Sequence, residues 1–231
     1  RLVVLDSDAD RLAIVDPAKK SGEVIAGKAD LGKTKLMATY PGKITVLSDK
    51  GIIECSISSI QCSIIAEAKE IDTAIDMKMF AGNIYLLTQN DIFRYQVTDG
   101  GYGGKQKWLS DADSGLSQSL NMAIDAYVWV LEAQSSKLEI RKFTRGVRET
   151  FEILDLDKPF GSGGIIYTDP DVEMLYVLDR DNGRVVVLEK TGAYKFQYQF
   201  DQAKEATDFV VDEKGGQMYL LVGSKVLSVK L

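Results

Sequence analysis

Histidine is absent from the 231-residue chain. Without it there is no Ser-His-Asp or Cys-His nucleophile system and no histidine-based zinc, iron or copper site. Two cysteines are too few for a disulfide-built scaffold, and four prolines leave no proline-rich linker. No apolar run approaches the roughly 18 residues needed to span a bilayer, and the N-terminal stretch lacks the basic and apolar regions of a signal peptide. No tight Lys/Arg cluster occurs, and the net charge is −6. That charge opposes attraction to nucleic acid and to anionic membranes. Nucleic-acid binding and direct membrane insertion are therefore not expected.

What is present is globular: 45% hydrophobic and 27% charged residues, with no low-complexity tract to mark a boundary. This favours a single domain over residues 1–231. The chain opens at Arg1 in an apolar, strand-like run, as expected of a piece of a longer protein.

The organising feature is a repeat. Apolar runs end at Leu5, Leu47, Leu87, Leu131, Leu178 and Leu221, at spacings of 42, 40, 44, 47 and 43 residues. Each is followed, after a short polar turn, by a second apolar segment, and Asp49-Lys50-Gly51 and Asp181-Asn182-Gly183 carry hairpin-turn chemistry. The leucine-ended runs are apolar on both faces, as in strands sandwiched between neighbouring sheets. Another short strand precedes each later hairpin, and an outer strand such as KFQYQF, ending at Phe200, follows one. Four strands at this period make a propeller blade. The expected fold is all-β, a six-bladed β-propeller of mostly four-stranded antiparallel blades, with seven blades the lesser alternative. The first unit lacks its opening strand and the last its outer one. The helix-forming composition around Ala66–Glu70 yields to this register, which places a strand at Ile75–Phe80 and leaves room for one helical turn before it.

The copies LDSDADRLAIVD and LDRDNGRVVVLE resemble the NHL-type repeat of six-bladed propellers. From Lys142 onward, KFTRG, LDKP, IYTDP, LYVLDRDNGRVVVLEKTGAY, ATDFVVDE and GSKVLSVKL are similar to uncharacterised bacterial propellers. Those lie C-terminal to a metal-dependent serine/threonine phosphatase-like domain and a membrane segment. The resemblance implies an extracytoplasmic sensing or interaction module of an anchored protein. It carries over no catalytic position, because the phosphatase residues would lie outside this chain.

Candidate sites have competing structural readings. Tyr85, Trp129, Tyr176 and Tyr219 each stand two residues before a repeat leucine, and a column recurring in four blades reads as packing rather than ligand stacking. Asp6 with Arg11, Glu132 with Lys137, and Asp179 with Arg184 are each five apart across a hairpin and read as weak cross-strand ion pairs. Asp6, Asp8 and Asp10 resemble the opening of a calcium loop but lack its sixth-position glycine and have Pro17 where its closing glutamate would stand; Asp111 to Gly115 is a similar fragment, and both read as solvated turns. Gly100 to Lys105 resembles a phosphate loop but has no following Ser/Thr or helix, and reads as a flexible connection. Cys55 and Cys62 face each other if Ser58-Ser59 is a two-residue turn that pairs residue 57 with 60. Buried thiols are favoured there, with a disulfide as the alternative.

No catalytic constellation emerges, and no cofactor is required. The leading expectation is a non-catalytic binding module for a protein, peptide or glycan. The alternative is a calcium-dependent propeller hydrolase or lactonase, with a channel metal held by Asp76, Asp125, Asp169, Asp208 and Asp212, and Asn121 nearby.

Overall fold

The structure, a computed structural model, describes residues 1–59, 61–67, 73–113 and 115–231. The chain divides into two compact units, Arg1–Thr88 with Ile92–Lys107, and Gln89–Asp91 with Trp108–Leu231.

The first unit holds three antiparallel sheets, each built from consecutive strands. They are β1 (Leu2–Asp6), β2 (Arg11–Asp16) and β3 (Ser21–Ala26); β4 (Thr34–Tyr40), β5 (Lys43–Ser48), β6 (Gly51–Ser56) and β7 (Cys62–Glu67); and β8 (Ala74–Phe80), β9 (Asn83–Thr88), β10 (Ile92–Thr98) and β11 (Gly101–Lys107). The second unit repeats the plan with β12 (Ser119–Ile124), β13 (Val128–Gln134), β14 (Lys137–Thr144) and β15 (Val147–Glu149). It continues with β16 (Gly164–Tyr167), β17 (Leu175–Asp179), β18 (Arg184–Leu188) and β19 (Tyr194–Gln199), and ends with β20 (Ala206–Asp212), β21 (Gln217–Val222) and β22 (Lys225–Lys230). These six sheets of four or three strands are the blades of a six-bladed β-propeller. As the repeat predicts, among the described residues the first blade, β1–β3, has no opening strand and the last, β20–β22, no outer strand.

Alternation with period two explains the two-sided hydrophobicity. In β17, Leu175 and Val177 enter a core shared with β13 and β14, whereas Tyr176 and Leu178 enter one shared with β20 and β21. β18 does the same with Val186 and Leu188 on one side and Val185 and Val187 on the other. In the first unit, Ile44 and Val46 of β5 pack with Leu12 of β2, and Leu47 packs with Met77 and Leu86 of the third sheet.

Three expectations are corrected. Lys137 does not face Glu132: Ser135 and Ser136, both at positive φ (47° and 68°), make a two-residue turn, so Gln134 faces Lys137 and Glu132 faces Glu139. Buried Glu132 is met instead by Arg141 at 2.6 Å, and Lys137 meets Glu139 at 3.3 Å. The glycine-rich segment is no flexible connection, since Gly101–Lys107 is the outer strand β11 and Lys105 lies over the Phe93 ring at 4.2 Å. Cys55 and Cys62, opposite each other across β6 and β7, form a disulfide rather than free thiols. The predicted pairing of residues 57 and 60, and the helical turn from residue 68 on, lie outside the described residues, while Ala66 and Glu67 belong to β7.

The bridge closes a short loop, with a sequence separation of 7. Restricting the unfolded chain over such a loop is worth about 2–3 kcal/mol. Replacing both cysteines by alanine is accordingly expected to lower the melting temperature by about 4–12 °C, as read by calorimetry on the oxidised protein and the double variant.

Candidate functional site

The first strand of a blade carries the residues singled out for metal chemistry, and its register sorts them into two rows. In β4, β8, β12 and β20 a β-bulge falls near the strand start, and the residue after it faces the repeat leucine. Those residues are Leu36, Asp76, Asn121 and Asp208; in unbulged β16 the equivalent is Ile165. A bulge re-aims its side chain and marks a local departure from regular pairing. Asp76 accepts from the Met77 N–H at 2.7 Å and from Lys78 Nζ at 2.8 Å. Asp208 is exposed and accepts from the Phe209 N–H at 2.8 Å. Asn121 ties β12 to β16, donating to the Gly164 carbonyl (3.0 Å) and accepting from the Ile166 N–H (2.9 Å).

Asp125, Asp169 and Asp212 form the second row, at the far end of the same strands. Four residues of extended chain separate Asn121 from Asp125, and Asp208 from Asp212, about 13 Å at strand rise. Each member holds a turn. Asp125, 4% exposed, accepts from the Tyr127 N–H (2.7 Å) and Trp129 Nε1 (3.1 Å), and its other oxygen meets Lys190 Nζ at 2.7 Å. Asp169 accepts from the Asp171 N–H and the Tyr167 hydroxyl, both at 2.8 Å. Burial, and then the Asp169 charge, push the Tyr167 phenol well above its ordinary pKa. Asp212 accepts from the Gly215 N–H at 2.8 Å. Among the described residues, no three His, Cys, Asp or Glu side chains stand together as a group able to hold a metal ion.

The acidic hairpin residues of the repeat motif are clamps between strands. Buried Asp10 accepts from the Thr34 N–H at 2.7 Å and its hydroxyl at 3.2 Å, tying the first hairpin to the start of β4. Asp181 does the same to Ser162, and Asp49 accepts from the Lys33 N–H. Asp6 instead takes Arg11 and the Ala9 N–H, so the Asp6 and Asp10 carboxylates point to different partners. In the second calcium-like fragment Asp113 takes the Ser110 hydroxyl and the Arg148 N–H, and Ser114 lies outside the described residues. Lys190, which holds Asp125, and Glu213, whose carboxylate accepts from the Glu173 and Met174 N–H groups and the Tyr176 hydroxyl, escaped the sequence reading. Both lie in turns, outside the hydrophobic repeat that aligns the blades.

Backbone N–H donors, from Thr34 to Asp10 and from Ser162 to Asp181, hold both carboxyls below the ordinary aspartate value of 3.8. A Ser110 hydroxyl does so for Asp113. Groups with depressed folded values contribute stability above the unfolded value and lose it as pH falls through the folded one. The melting temperature is therefore expected to stay level from pH 7 to about pH 5 and to fall below about pH 4. Asp10→Asn should flatten that acid limb in scanning calorimetry.

No family model matches the chain, and no curated protein sequence does. Solved structures do. A functionally unknown protein from Desulfotomaculum acetoxidans superposes with TM-score 0.63 at 14% identity, over 99% of this chain and 74% of that one. Regucalcin, a calcium-binding protein from Agrobacterium tumefaciens, gives 0.61 at 12% over 94% and 76%. Virginiamycin B lyase from Staphylococcus aureus gives 0.58 at 12% over 99% and 80%. What they share with this chain is the fold. At such identities the likeness extends to no site, and a fold hosting an enzyme and a calcium-binding protein specifies neither activity.

Proposed function

We propose that the chain is a non-catalytic binding module that presents rigid blades and turns to a protein, peptide or glycan. The observation that carries this is the occupation of the carboxylates a hydrolytic metal site would need. Asp125 has three donors on it, Asp169 two, and Asp76 a backbone N–H and a lysine. Carboxylates so engaged would have to exchange partners before ligating a cation. The NHL-type resemblance, and the association with a phosphatase-like domain and a membrane anchor, belong to the same proposal. The Cys55–Cys62 disulfide supports an extracytoplasmic setting, because such bonds persist in oxidising compartments.

The test is the melting temperature in 1 mM calcium and then in chelator. A site with Kd near 10 μM would add about 2.7 kcal/mol, or about 5–11 °C for a chain of this size. No shift is expected. A shift of that size would overturn the proposal in favour of the calcium-dependent hydrolase or lactonase reading.

A further inference from the structure

β7, the outer strand of the second sheet, pairs with β6 alone among the described residues, and the Cys55–Cys62 bond crosses that pairing. Register with the repeat leucines shows what the bond replaces. In the fifth blade Leu175 faces Leu188, which faces Tyr194 of β19, and Leu178 faces Val185, which faces Tyr198. The two tyrosines pack against the cores on opposite sides of that blade. At the same positions of the second blade Ile44 faces Cys55, which faces Cys62, and Leu47 faces Ile52, which faces Ala66. Where β19 has two large rings, β7 has a cysteine and an alanine. Ile65 and Ala66 keep contact with one core; on the other side Cys62 is the one β7 residue packed in, while Ile64 stands 55% exposed. An element with so few buried apolar contacts is able to open by itself.

The two sulfurs differ in access. Cys55 is 2% exposed in the core with Leu12, Ile44 and Val46, whereas Cys62 is half-buried at the start of the edge strand. We infer that the bond is a redox latch, opened by a dithiol reductant that attacks Cys62, and that its opening lets β7 leave the edge of β6. The chemistry is thiol–disulfide exchange. A thiolate of the reductant bonds to Cys62 Sγ as the S–S bond breaks, and Cys55 leaves as a thiolate. The second thiolate of the reductant then attacks the mixed disulfide and releases Cys62. The dithiol ends as a disulfide, and its two protons end on Cys55 and Cys62. With β7 gone, β6 offers the backbone N–H and C=O groups of an open strand edge. Oxidising surroundings keep the latch shut. The inference is independent of the binding-module reading and of the calcium melt.

The test is hydrogen exchange read by mass spectrometry on the oxidised chain, on the chain after dithiothreitol, and on the variant with Cys55→Ala and Cys62→Ala, all well below the melting temperature. Alkylation of the folded protein first counts its thiols: none is expected before dithiothreitol and both after it. The β7 amides from Ser63 to Glu67 are expected to exchange at least about tenfold faster in the reduced chain and in the double variant, while β5 and β9 stay as they were. Dithiothreitol should change nothing further in the double variant, which separates loss of the bond from any other action of the reagent. A bond that resists dithiothreitol in the folded chain yet yields in urea is sealed from reductants and would overturn the inference. So would unchanged β7 exchange after reduction, which makes the bond a plain staple. Exchange that rises alike in β5, β7 and β9 would overturn it too, by making the bond a support of the whole fold. Circular dichroism checks that the double variant folds; if it does not, the reduced wild-type chain still decides.

Discussion

Replacing Asp179 by alanine is expected to destabilise the protein by about 3–5 kcal/mol, the cost of stranding a buried charge. In this size range that lowers the melting temperature by about 6–20 °C. Asp179 and Arg184 face each other across β17 and β18, 0% and 2% exposed, with Nε to Oδ2 at 2.9 Å. The guanidinium also donates to Gln197 and to the carbonyls of Lys158 and Pro159, while the carboxylate accepts from the Gly161 N–H and Asn182. Removing the carboxylate leaves Arg184 in place, desolvated and uncompensated. Removing both charges, as in Asp179→Leu with Arg184→Met, should recover most of the loss. The counterpart pair, Asp6 with Arg11, is exposed at 35% and 51% of its side chains, so Asp6→Ala should leave the melting temperature nearly unchanged. Urea unfolding of the four proteins decides the matter: equal small effects from both single variants would show that burial does not separate the two pairs.

This contrast marks how far the sequence could be read. Asp6 to Arg11 and Asp179 to Arg184 have the same spacing and face each other as expected, yet one pair is solvated and the other sealed. The reading of all three pairs as weak cross-strand ion pairs missed this, because spacing reports register and says nothing of what covers a strand. Blade order was legible because it rests on a leucine-ended apolar run followed by a hairpin, repeated six times. Register inside a hairpin was less legible, since it turns on loop conformation: positive φ at Ser135 and Ser136 moved Glu132 from Lys137 to Arg141. The two rows of first-strand carboxylates were hidden for a related reason. Turns of unequal length after those strands place Asp76 eleven and Asp208 thirteen residues before their leucines. Counting from the leucine alone merges Asp208 and Asp212 into one candidate ring, although they serve different turns.

Trp129→Ala is expected to cost about 3–5 kcal/mol, the range for deleting a buried aromatic. Trp129 is fully buried, meets Phe151 edge-on at 5.2 Å and donates Nε1 to Asp125. Its removal therefore opens a cavity in the core shared by the fourth and fifth blades and takes one of three donors from Asp125. Trp129→Phe keeps most of the contact area but not the donor, so it should fall between wild type and alanine. Tyr219, half-buried at the equivalent position of the last blade, should lose clearly less as Tyr219→Ala. A graded series ordered by burial is what packing requires. Were the column instead a ligand-stacking surface, its members would be accessible and their truncation would spare stability, so a Trp129→Ala protein melting within a degree or so of wild type would remove the packing assignment.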